Sequence, residues 1–69
     1  MSRYDYEASR QLAVNNVPFY ALIMAAMRKA DTYNLAALQR AFPATYAELK
    51  ARFNAPGGIL PTDPEEFHP

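Results

Sequence analysis

The chain has 69 residues, seven of them basic and seven acidic, with one histidine and no cysteine or tryptophan. That length allows one small domain, and the missing cysteines exclude a disulfide framework and a thiolate metal site. A net charge of zero argues against a polybasic nucleic-acid tail and against a membrane-surface binder.

In chain order, Ser2 is placed to cap a first helix, with Asp5 three residues on as an approximate capping box. Tyr4, Ala8 and Leu12 then share one face, and Asn15-Asn16 ends the helix. Pro18 suits the first turn of a second helix over residues 18–30, where a missing N–H costs nothing. Asp31-Thr32 stops it and supplies a cap for a third helix over 33–41. Pro43 disfavours the α conformation at Phe42, so it ends the third helix and opens a fourth over 43–53. Asn54 and Gly57-Gly58 end that one. No stretch alternates with period two, so no sheet is expected. The expected fold is all-α: a small bundle of four short helices, residues 1–54, with an extended Pro/Gly-rich acidic tail, residues 55–69.

The second helix is the most informative. With Phe19 at 0° and about 100° per residue, Leu22 falls at about 300°, Ile23 at about 40°, Met27 at about 80°, Tyr20 at about 100° and Met24 at about 140°. Its large apolar groups span about 200° of arc, twice the stripe of about 100° that a surface helix needs. Two readings stand. Either this helix is central, covered by the first, third and fourth, or its extra face of Tyr20, Met24 and Arg28 meets another chain. Tyr, Met and Arg are enriched at interfaces, and Met adapts to irregular partners.

The third and fourth helices echo one another. Leu35, Leu38 and Phe42 align without gaps on Tyr46, Leu49 and Phe53. Two copies do not make a solenoid, so both read as amphipathic helices built for one core. A single longer helix kinked at Pro43 is the alternative.

Catalysis needs a base, a nucleophile or metal ligands within reach of one another. The one imidazole, His68, stands next to the last residue, and Ser2 and Ser9 have no base near them in sequence. Asp5 and Glu7 are two apart, which turns them to different helix faces. Gly57-Gly58 follows a helix, whereas a phosphate cradle precedes one. The expectation is a protein without catalytic residues, metal, cofactor or small-molecule substrate.

Nucleic-acid binding is the rival reading. The second and third helices with a short turn have helix-turn-helix dimensions. The face of the third helix opposite its apolar stripe carries Tyr33, Ala37 and Arg40, and arginine reads guanine edges. Arg28, Lys29, Lys50 and Arg52 are the candidate phosphate anchors. Against it stand a reading face with one charge, a turn without glycine, and modest charge for counterion release.

The neutral total conceals a division. Residues 1–54 carry seven basic and four acidic groups, a net +3, and the tail carries Asp63, Glu65 and Glu66, a net −3. The tail reads in three ways: a mobile terminus, a strap laying Ile59, Leu60 and Phe67 over the helices, or a linear motif with those residues as anchors for a partner. Opposite charge would allow the tail to be drawn back across its own body, masking what the basic face would otherwise meet.

The stretch Phe19-Tyr20-Ala21-Leu22-Ile23-Met24-Ala25-Ala26-Met27, followed by Asn34-Leu35, Ala41-Phe42-Pro43, Glu48-Leu49, Ala51-Arg52 and Ala55-Pro56-Gly57-Gly58, resembles small uncharacterised proteins of bacteriophages and mobile elements. The likeness covers residues 19–58. It implies a compact protein that binds and redirects a host or phage machine, and it transfers no functional residues.

Size sharpens the expectation. Alanine supplies 13 of the apolar residues, leaving 22 large ones. A core this small seldom supplies more than about 3–5 kcal/mol without a staple. Self-association or a permanent protein partner is the natural one here. Residues 1–10 do not read as a signal peptide. The longest apolar run, residues 17–27, is short of the about 20 that span a bilayer. A cytoplasmic protein-binding module follows, with Tyr20, Met24, Arg28, Ile59, Leu60 and Phe67 as its contact residues. Tyr33, Arg40, Arg28 and Lys29 are the contacts of the nucleic-acid alternative.

Overall fold

The Ser2 hydroxyl accepts the Asp5 N–H at 3.1 Å and donates to the Asp5 carboxylate at 2.9 Å, which closes the first turn of helix α1, Arg3–Val14. This computed structural model describes residues 1–64. Three further helices follow, α2 over Phe19–Lys29, α3 over Thr32–Ala41 and α4 over Pro43–Phe53, then one 3-10 turn at Pro56–Gly58. The fold is all-α, and no strand occurs among the described residues.

The helix ends lie where local chemistry puts them. Asp31 accepts the Asn34 N–H at 2.7 Å and caps α3. Thr32 is thereby inside the helix, one residue earlier than the sequence suggested. Pro18 is the cap of α2 and not its first helical residue. Its ring fixes φ at −60°, its ψ of 148° is extended, and its carbonyl accepts the Leu22 N–H at 3.2 Å. Arg28 and Lys29 lie in the last turn of α2, where cations offset the negative end of the helix dipole.

Phe42 is the corner of the fold. It ends α3 and caps α4 with φ −132° and ψ 65°. Its N–H donates to Leu38 at 2.8 Å, and its carbonyl accepts from Tyr46 at 3.0 Å. Both helices are thus satisfied through one non-helical residue, and Pro43 sits in the first turn of α4, where it lacks nothing. The kinked-helix alternative is ruled out, because Phe42 leaves helical dihedrals and divides the stretch into two separately capped helices.

The packing is uneven. Helices α2, α3 and α4 pack pairwise, and the Pro56–Gly58 turn packs on α4. Met27, 3% exposed, is the one buried side chain among the described residues. Leu22, Ile23, Leu35, Leu38, Phe42 and Leu49 are half-buried around it. Among the described residues no other element packs against α1, which carries Tyr4 at 80% and Leu12 at 49% exposure. The expectation that α2 is covered partly by the first helix is therefore corrected: α3 and α4 cover it, and α1 does not. The radius of gyration is 14.1 Å, against about 11 Å for a compact domain of this length.

Candidate interaction surfaces

Two of the surface depressions along α2 divide the contact residues expected from this helix. Tyr20 and Met24 line a hollow of about 290 Å³ with Ala44, Thr45 and Glu48 of α4. Tyr20 is 57% exposed, its ring set edge-on to Phe19 at 5.1 Å, and Phe19 in turn meets Phe42 at 6.1 Å. This chain of rings fixes the start of α2 against the corner between α3 and α4.

Arg28 belongs to the other depression, a groove of about 380 Å³ among α2, α3 and α4. Its lining is Met27, Leu35, Tyr46, Leu49 and Phe53, with Arg28 and Lys50 as its two cations. Tyr46, Leu49 and Phe53 stand on one face of α4 at helical spacing. Phe53, taken from the sequence as part of the core stripe, is 74% exposed at the end of this groove. The groove was missed because an apolar stripe looks the same whether another helix covers it or nothing does. Its one legible signal was the pair of cations, Arg28 and Lys50, close to apolar residues on two different helices.

The described part of the tail is held by Arg52. Its Nη1 donates to the Gly58 carbonyl at 2.8 Å and to Asp63 Oδ2 at 2.7 Å, and its Nη2 donates to Asp63 Oδ1 at 2.8 Å. Nε donates to Glu48 at 3.2 Å. Asp63 also accepts the Leu60 N–H at 3.0 Å. Gly57 and Gly58 make the reversal, with φ of 63° and 69°, a region that side-chain-bearing residues enter at a cost. Arg52 is thus committed to its own chain and corrected from its place among the phosphate anchors. Leu60 is half-buried in this strap, Ile59 is 63% exposed, and Phe67 lies outside the described residues. The clamp left a trace in the sequence: Pro61 after Leu60 and Asp63 two further on is a turn pattern.

The clamp has a pH signature. The Arg52 guanidinium, and then the Leu60 N–H, hold the Asp63 carboxyl at about 2, below its ordinary 3.8. A depressed folded pKa stabilises fully above the unfolded value and is lost as pH falls through the folded one. The strap is therefore expected to stay closed above pH 3.8 and to release as pH drops toward about 2. The Leu60 amide resonance should follow that transition in the wild type and stay flat in Asp63→Asn. A Leu60 amide titrating in the ordinary carboxylate range contradicts the clamp.

Tyr33 and Arg40 are exposed on α3, and Lys29 is exposed at the end of α2. None of these cations, nor Arg28, forms an ion pair among the described residues. The connection between α2 and α3 is two residues, Ala30 and Asp31, shorter than the three to four of a helix-turn-helix. No three His, Cys, Asp or Glu come together among the described residues. No helix among them is long and apolar enough to cross a membrane. No known protein family, curated protein or solved structure matches the chain.

Proposed function

We propose that this chain is a non-enzymatic, cytoplasmic protein-binding module that also associates with itself. One observation carries the reading: the fold leaves its apolar surface uncovered. The accessible surface is 6218 Å², whereas a folded monomer of 7.8 kDa exposes about 4,400 Å². The excess of roughly 1,800 Å² is in total surface, and the face of α1 that no other described element covers contributes to it. Tyr4, Tyr20 and Phe53 are among the exposed side chains, and aromatic residues are enriched at interfaces. The resemblance to phage and mobile-element proteins supports a role in redirecting a larger machine.

The Tyr20–Met24 hollow is the face assigned to a protein of the native cell, with Arg28 beyond its far end. Tyr20→Ala and Met24→Lys are expected to weaken capture of that partner while leaving the far-ultraviolet helical signal unchanged. A monodisperse monomer by light scattering that captures no protein overturns the reading. The nucleic-acid alternative through Tyr33, Arg40, Arg28 and Lys29 has less support, because Arg52 is taken up by the strap. A gel shift that weakens in Arg40→Ala would favour it, and no shift at any salt removes it.

A further inference from the structure

We infer that helix α1 of one copy docks in the Met27–Phe53 groove of a second copy, and that the second copy returns its own α1 to the first. The inference rests on the self-association reading above and gives it a site.

Helix α1 cannot account for itself. It has 12 residues, and isolated helices shorter than about 12–15 residues are marginal in water. Its caps are in place, yet among the described residues no other element packs on its face of Tyr4, Ala8 and Leu12. Asn15, with ψ 152°, and Pro18, with ψ 148°, are extended. They carry α1 clear of its own three-helix unit.

The groove complements that face in length, polarity and charge. From Tyr4 to Leu12 the α1 stripe runs about 12 Å, and from Tyr46 to Phe53 the groove wall runs about 10 Å, at about 1.5 Å per residue. Tyr4, Ala8 and Leu12 are flanked by Glu7 and Gln11 on the same surface. The groove floor is apolar and its cations are Arg28 and Lys50. Glu7 meets its own Arg10 only at 3.5 Å, both side chains at least half exposed, a weak pair that leaves its carboxylate available to those cations. Both halves of the contact are on every copy, so a two-fold exchange makes it twice and closes. A different protein would have to supply an arm that this chain already has.

Sedimentation velocity over a wide dilution series tests the assignment. The wild type is expected to dimerise, and Leu12→Lys and Phe53→Asp are each expected to raise the dissociation constant about tenfold or more. Both residues are exposed within one chain, so circular dichroism of each variant should retain the α2–α4 unit. Reversing the charges separates docking from loss of folding. Glu7→Lys weakens the dimer, and adding Arg28→Glu and Lys50→Glu to it restores the dimer. Amide hydrogen exchange in α1 should be slow in the wild-type dimer and fast in Phe53→Asp. A dimer indifferent to Leu12, Phe53 and the charge reversal overturns the docking mode while leaving self-association intact. A monomer at every concentration overturns both.

Discussion

Met27→Ala is expected to abolish cooperative folding of the chain. Met27 is the one buried side chain among the described residues, placed where α2, α3 and α4 meet. Truncating a buried methionine costs about 2–5 kcal/mol through lost transfer energy and the cavity left behind. A domain of this size has about 3–5 kcal/mol of core stabilisation in all. The loss therefore matches the whole margin. Urea melts followed by circular dichroism should show a sloping baseline with no transition. Met27→Leu keeps the volume, and such swaps usually cost less than about 1.5 kcal/mol, so it should restore the transition. A cooperative melt near the wild-type midpoint in Met27→Ala would show that the packing centre lies elsewhere.

Phe42→Ala and Phe53→Ala should part company, although sequence makes them equivalent. Phe42 is half-buried, meets the Phe19 ring at 6.1 Å, and is the corner between α3 and α4. Its loss is expected to destabilise the three-helix unit by about 2–3 kcal/mol, below the full cost of a completely buried ring. Phe53 is 74% exposed, and removing it should change the stability of a dilute, dissociated chain by no more than about 0.5 kcal/mol. Its effect is expected in concentration dependence, because binding to the folded state alone raises apparent stability by mass action. Equal losses for both variants under dilute conditions would mean that Phe53 packs within its own chain.

What was legible in the sequence was what local chemistry decides. Ser2, Asp31 and Pro43 mark three helix starts because capping and proline geometry act within a turn. Boundaries moved by one residue at Pro18 and Thr32, where the extended ψ of the cap decides membership. The all-α class followed from periodicity alone. Long-range choices were not legible. Nothing within α1 says that its stripe goes uncovered, since the extended residues Asn15 and Pro18 act on its direction and not on its composition. The echo between Phe42 and Phe53 misled for the same reason: the stripe records polarity, and the partner on the other side decides burial. The charge division between body and tail was legible. That Arg52 is the cation holding Asp63 depended on the Gly57-Gly58 reversal, which turns eleven residues of separation into a 2.7 Å contact.

The Tyr20–Met24–Arg28 surface was read from one helical wheel, and the structure divides it between two depressions because α4 lies against α2 and separates them. The split has a functional sense under the proposed account. One hollow is left for a foreign partner, while the groove beside Arg28 completes the fold of a second copy.

Sedimentation equilibrium paired with circular dichroism on the same dilution series tests this account most directly. It predicts a mass twice the 7.8 kDa of the chain at high concentration, falling to the monomer on dilution with a parallel loss of the α1 helical signal. A mass of 7.8 kDa at every concentration, with the helical signal unchanged, contradicts it.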